Sequence, residues 1–128
     1  MSIRFHLNGE LNQESSISPS TTVLDYLRLV RMATGTKEGC AEGDCGACSV
    51  VLHSRDDNNK AKYEVVNSCL LLLSQIDGAN LITVEGLASN GVLDSVQEAM
   101  VEKGGTQCGF CTPGFVMSLY SFRQTNNK

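Results

Sequence analysis

Apolar and polar positions alternate from the start of the chain: Ile3, Phe5 and Leu7 are separated by polar residues, and Asn8-Gly9 follows. A period of two puts one face of a strand on a core, and Asn-Gly accepts the positive φ angles of a tight turn, so the pattern predicts a hairpin. After Pro19 the period lengthens. Ser20, Thr21 and Thr22 can cap a helix whose apolar positions Val23, Leu24, Leu27 and Val30 recur at helical spacing, and this helix should pack across the hairpin. "SVVLH", residues 49–53, suits a buried strand, residues 54–62 read as a polar turn, and "YEVV" continues as a strand. "CLLLLSQI", from Cys69, has the length of a short buried helix, and "NLITVEG" reads as one more strand. Strands, helix and late strands in this order suggest a β-grasp sheet ending near Gly86.

Beyond Gly86 the period changes. Asp94 can cap a helix carrying Val96, Ala99, Met100 and Val101, and Gly104-Gly105 stops it. Thr112 supplies an N-cap and Pro113 the first helical position of another helix, with Phe115, Val116, Leu119 and Phe122 as its apolar face. The expected class is α+β: a β-grasp domain over residues 1–86, then residues 87–128 as the beginning of a helical domain, with the junction between about residues 84 and 92.

Composition narrows the function classes. The chain has 128 residues, 41% hydrophobic and 19% charged, which fits a folded globular protein. A net charge of −4 with interspersed signs offers no basic surface for nucleic acid. The longest apolar run, Leu70 to Leu73, is far too short to cross a bilayer, so no membrane partner is expected. The start has no apolar signal-peptide core, which points to a cytoplasmic protein, where six cysteines would not persist as three structural disulfides.

Those cysteines carry the chemistry. Cys40, Cys45 and Cys48 spell C-x4-C-x2-C, with Cys69 further along, the spacing of a plant-type 2Fe-2S centre. Gly39, Gly43 and Gly46 let such a loop fold back and turn backbone N–H groups toward the sulfurs, while Glu42 and Asp44 would oppose added electron density. A four-cysteine zinc site is the main alternative, although zinc sites usually draw two ligands from each of two knuckles. A Rieske centre needs two histidine ligands, and His6 and His53 lie in strands away from such a motif. Cys108 and Cys111, in "QCGFCTPG", sit before a helix N-terminus that would lower a thiol pKa. A thioredoxin-like dithiol would normally follow a strand, so half of a second metal site is the preferred reading. No GxGxxG, P-loop, HExxH or GxSxG motif is present, and Glu85, Asp94, Asp56 and Asp57 read as solvated or capping residues.

Together "TGTKEGCAEGDCGACSVVL", "NSCLLLLSQIDG" and "TQCGFCTPGFVMSLY" resemble the iron–sulfur region of the xanthine dehydrogenase and aldehyde oxidase family of molybdenum hydroxylases. The resemblance covers essentially the whole chain, and its nearest form is the N-terminal part of a bacterial small subunit that continues into a flavin-binding domain. It implies a ferredoxin-like β-grasp domain followed by a partial, truncated helical-bundle 2Fe-2S domain. Cys40, Cys45, Cys48 and Cys69 would hold one cluster, Cys108 and Cys111 part of a second, and Gln107 would contact the pterin. Electrons would pass from a molybdenum centre that hydroxylates a purine such as xanthine, through the clusters, to FAD and NAD. FAD and molybdopterin would be bound by partners, the FAD-binding region and the molybdenum-binding subunit, so this chain alone should not be catalytic. The family's remaining second-cluster ligands form a C-x-C motif, and no cysteine follows Cys111 here, which implies one complete and one half site. A free-standing 2Fe-2S ferredoxin is the competing function, and a zinc-stabilised interaction domain the third.

Overall fold

A computed structural model of the chain describes residues 2–126. Its strands are β1 (Ile3–Leu7), β2 (Glu10–Glu14), β3 (Ser49–Arg55), β4 (Ala61–Asn67) and β5 (Asn80–Ile82), in the sheet order β2-β1-β5-β3-β4. The β1–β5 pair is parallel and the other pairs are antiparallel. The hairpin turns at Asn8 (φ 52°) and Gly9 (φ 87°), as the Asn-Gly signal predicts. Asn8 then does a second job: its side chain exchanges two hydrogen bonds of 2.9 Å with Thr83, fastening the hairpin to the end of β5.

On one face of the sheet Ile3, Phe5, Leu7, Val50 and Leu81 meet the first helix, α1, an α turn at Val23–Asp25 running into a π-type segment at Tyr26–Val30. Thr22 caps it, its hydroxyl accepting from the Asp25 N–H at 3.1 Å. The expected packing across the hairpin is present: the Phe5 and Tyr26 rings meet edge to face at 5.7 Å, and the Tyr26 hydroxyl donates to Glu14 at 2.6 Å. Val30 departs from its predicted buried position and is 49% exposed, because the wider π turn rotates it away from the Val23–Leu27 stripe.

The expected helix from Cys69 is also shorter than predicted. Only Leu73–Ile76 turns, as a 3-10 helix, while Leu71 and Leu73 use their backbone groups on Val23 and Thr21. Those strand-like bonds to the start of α1 take the carbonyls and amides a longer helix would need.

The opposite face of the sheet is half covered. Val51 and Ile82 pack against Met117 of α3 (Thr112–Asn126), with Tyr63, Val84 and Tyr120 around them. The shorter α2 (Ser95–Glu102) begins at Asp94, which accepts from the Val96 N–H at 2.9 Å as predicted, and Gly104 (φ 59°) ends it. Val101 is exposed. The buried residues of α3 are Gly114, Val116, Met117 and Ser121, whereas Phe115, Leu119 and Phe122 of the predicted apolar face remain exposed. Met117 fills the sheet-facing side, while Gly114 lets the start of the helix approach the Gly46 carbonyl closely.

Candidate metal centre

Residues 39–48 form a loop between α1 and β3, with left-handed backbone at Ala41 (φ 57°), Gly43 (φ 81°) and Gly46 (φ 76°). These reversals point N–H groups inward. Those of Glu42, Asp44 and Cys45 donate to the Cys40 sulfur at 3.4, 3.2 and 3.2 Å. Those of Cys40 and Ala47 donate to the Cys45 sulfur, each at 3.4 Å. Gly39 is required for a different reason, since a β-carbon there would lie 2.6 Å from the Cys45 sulfur.

The second part of the site is drier. Cys48 is 3% and Cys69 8% exposed, and both pack on Leu24 of α1. Cys69 is brought there by Ser68, whose hydroxyl donates to the Cys48 carbonyl at 2.7 Å and whose own carbonyl accepts from the Leu24 N–H at 3.0 Å. Asn67, at the end of β4, donates from its side-chain amide to the Gly43 carbonyl at 3.2 Å.

Electrostatics separates the thiols accordingly. The backbone donors of Cys45, Glu42 and Asp44 pull the Cys40 thiol down to about 7. Burial, reinforced by the neighbouring Cys48 thiol, pushes Cys69 up to about 11, against the Gly43 N–H that favours its thiolate. The Cys40 thiol is also hydrogen-bonded with Cys45, and the Cys69 thiol feels both Cys48 and Cys40, so the four side chains neighbour one another. Among the described residues no three His, Cys, Asp or Glu side chains gather closely enough to hold a single metal ion.

Cys108 and Cys111 are exposed and flank a turn at Gly109 (φ 89°) leading into α3. The Cys111 carbonyl accepts from the Phe115 N–H at 3.1 Å, so Cys111 occupies the N-cap position predicted for Thr112. The Thr112 hydroxyl is instead engaged with that of Thr106. Gln107 is exposed beside them. The two cysteine groups are neighbours: Phe110, between Cys108 and Cys111, places its ring edge near Gly39, and Gly114 rests against the Gly46 carbonyl. His6 and His53 lie in β1 and β3, in register on either side of Asn80 and away from the cysteines.

Several participants carry no signal in a single sequence. Ala41 adopts left-handed backbone without being glycine, and Leu24, Asn67 and Ser68 shape the site from other elements. Only the adjacency of Asn67-Ser68 to Cys69 could have drawn notice.

Comparison with known proteins agrees along the whole chain. Residues 5–74 match the family model of the 2Fe-2S iron-sulfur cluster binding domain, and residues 83–128 match that of the [2Fe-2S] binding domain. Xanthine dehydrogenase of Emericella nidulans is 44% identical over 127 residues, 98% of this chain and 9% of that protein. Aldehyde oxidase 1 of Oryctolagus cuniculus is 44% identical over 119 residues, 91% of this chain and again 9% of that protein. Among solved structures, quinoline 2-oxidoreductase from Pseudomonas putida 86 superposes with a TM-score of 0.84 at 33% identity, covering 98% of this chain and 72% of that one. Aldehyde oxidoreductase from Desulfovibrio gigas gives 0.84 at 35% identity, covering 98% of this chain and 13% of that one. The chain therefore spans about a tenth of the curated relatives' length. With both domain models matched in order and the fold shared throughout, the chain belongs to the 2Fe-2S iron–sulfur family of the xanthine dehydrogenase and aldehyde oxidase oxidoreductases.

Proposed function

We propose that this chain is the electron-transfer module of a molybdenum hydroxylase and that Cys40, Cys45, Cys48 and Cys69 hold a 2Fe-2S cluster. The observation that carries the reading is the convergence of five backbone N–H groups on the Cys40 and Cys45 sulfurs, a cradle suited to thiolates that carry extra negative charge. A 2Fe-2S cluster supplies reversible one-electron chemistry when bound. The chain's own residues set the conditions for it. The loop amides favour the more negative state, Leu24 helps exclude water from Cys48 and Cys69, and exposed Cys45 leaves one side open to a partner. Three cysteines from one loop and a fourth from just after β4 match the partition of a ferredoxin better than that of a zinc site, which usually draws two ligands from each of two knuckles.

The match over residues 83–128 favours this module over a free-standing ferredoxin, which has no need of a helical extension. In this reading the ferredoxin-like domain spans residues 1–86 and the helical domain begins at 87. Cys108 and Cys111 are two ligands of a second cluster whose C-x-C partners lie outside this sequence, and Gln107 contacts the pterin. The partners are an FAD-binding region and a molybdenum-binding subunit in a reducing cytoplasm, and xanthine is the favoured substrate. Relatives named for xanthine and aldehydes match this sequence and one named for quinoline shares this fold, so in this reading the molybdenum-binding partner, and not this chain, selects xanthine.

The test is anaerobic purification followed by measurement of iron, acid-labile sulfide, zinc and the visible spectrum. About two irons and two sulfides per chain, with a spectrum that bleaches on dithionite, are expected for one such cluster. Zinc without sulfide overturns the reading. Binding to the molybdenum subunit separates the module from a free ferredoxin.

A further inference from the structure

The peptide unit joining Gly43 and Asp44 is held at both ends. Its carbonyl, on Gly43, accepts from the Asn67 side-chain amide at 3.2 Å, and its N–H, on Asp44, donates to the Cys40 sulfur at 3.2 Å. The two groups lie in one rigid plane and point in opposite directions, so fixing the carbonyl fixes the direction of the N–H. Without the tether the plane has freedom to turn, because Gly43 sits at φ +81° and has no β-carbon to hinder rotation. Asn67 itself is not free to follow. It ends β4 in register with Ser49, and the next residue, Ser68, is fully buried with its hydroxyl on the Cys48 carbonyl.

We propose that Asn67 is a positioning residue for electron transfer, acting through the Gly43–Asp44 peptide to aim and polarise a hydrogen-bond donor at the Cys40 sulfur. The proposal rests on the assignment of a 2Fe-2S cluster to the four cysteines. Donors to a ligand sulfur favour the reduced cluster, which carries one more negative charge. Accepting a bond from Asn67 at the carbonyl strengthens the donor at the other end of the same amide. Loss of the carboxamide therefore lowers the reduction potential through the Gly43–Asp44 peptide, from a residue that does not bond the Cys40 sulfur and whose Oδ1 meets the Cys48 thiol at the longer distance of 3.9 Å.

The experiment compares the wild-type chain with Asn67→Ala, Asn67→Asp and Asn67→Gln by anaerobic redox titration of the visible spectrum, alongside iron content and thermal unfolding. Asn67→Ala should shift the midpoint potential downward. Asn67→Asp should shift it further, since a carboxylate cannot donate to the Gly43 carbonyl and brings negative charge toward the loop. Asn67→Gln retains the donor and should recover part of the wild-type value. The affinity for the reducing electron should change about fivefold or more, the scale of one hydrogen bond. A merely structural role would lower iron content or melting temperature while leaving the potential of the remaining cluster unchanged, and that result overturns the proposal. Should Asn67→Ala fail to fold, Asn67→Asp against Asn67→Gln gives the same decision, with equal potentials overturning it. A wild-type chain with no 2Fe-2S spectrum sinks the cluster assignment itself, whereas an intact wild-type cluster with unmoved variants sinks only the role of Asn67.

Discussion

Gly114, in the first turn of α3, lies so close to the carbonyl oxygen of Gly46 that a methyl group on it would collide with that oxygen. The contact joins the helix that follows Cys108 and Cys111 to the loop that carries Cys45 and Cys48. Neither glycine is replaceable on conformational grounds alone, since Gly46 needs its positive φ and Gly114 needs its missing side chain.

Gly114→Ala sets two effects against each other. Helix propensity favours alanine by about 1 kcal/mol. Overpacking costs about 1–3 kcal/mol, and the upper part of that range applies because the obstructing atom is backbone and cannot swing aside. The variant should be net destabilised by about 1–2 kcal/mol in chemical denaturation. Its iron should also be lost faster to a chelator. An unfolding midpoint at or above wild type would show that the helix tolerates a wider spacing.

Thiol reactivity in the iron-free chain should follow the two opposite shifts. Cys40, held near 7 by backbone donors, should be alkylated with a rate that rises through neutral pH, and Cys69, pushed to about 11 by burial, should resist until strongly alkaline conditions. The stability signs also oppose. A depressed folded pKa at Cys40 contributes stability above the ordinary thiol value of 9.0 that is lost as pH falls through about 7. A raised one at Cys69 contributes stability below 9.0 that is lost as pH rises through about 11. Site-resolved mass spectrometry of iodoacetamide labelling across pH checks the order, and Cys69 reacting before Cys40 contradicts it.

The chemistry of the site was more legible in the sequence than its support. C-x4-C-x2-C with interspersed glycines announces a folded-back thiolate loop because local spacing and backbone freedom are both local properties. The hairpin at Asn8-Gly9 and the caps at Thr22 and Asp94 were readable for the same reason. The shortened turn after Cys69 was not, because its backbone is claimed by Thr21 and Val23, some fifty residues earlier. The buried face of α3 was legible only in part: Val116 is buried as expected, but Gly114, Met117 and Ser121 complete that face in place of Phe115, Leu119 and Phe122. Hydrophobic periodicity ranks residues by polarity, whereas the close contact of Gly114 with the Gly46 carbonyl selects by size.

Serine replacements separate the two cysteine groups. Cys69→Ser should abolish or strongly destabilise the cluster, since it removes a proposed ligand from the buried part of the site and leaves a hydroxyl beside Cys48 and Leu24. The double replacement Cys108→Ser with Cys111→Ser should leave iron and sulfide content unchanged, because both side chains are exposed and outside the loop. Iron and sulfide assays on each protein decide the matter. Equal losses from both would mean that the metal bridges the two groups.

The approach to Cys40 offers a last measure of how the loop is held. The Glu85 carboxylate accepts the Gly35 N–H at 2.7 Å across fifty residues, a specific role in place of the solvated or capping one the sequence suggests. On the other side Arg28 donates to the carbonyls of Thr34 and Thr36 at 3.0 and 2.9 Å. Glu85→Ala removes one bond at an exposed carboxylate and should cost about 0.5–1.5 kcal/mol, while Glu85→Gln keeps an acceptor and should cost less. Arg28→Ala removes two charge-assisted bonds in a half-buried position and should cost about 2–3 kcal/mol. Both anchors restrain the same short segment, so once either is gone the other holds a loop that is already loose. The double variant should therefore lose less than the sum of the singles in a denaturation cycle. Strict additivity would show that Gly35 and Thr36 move independently, and that the path into the cysteine loop is fixed elsewhere.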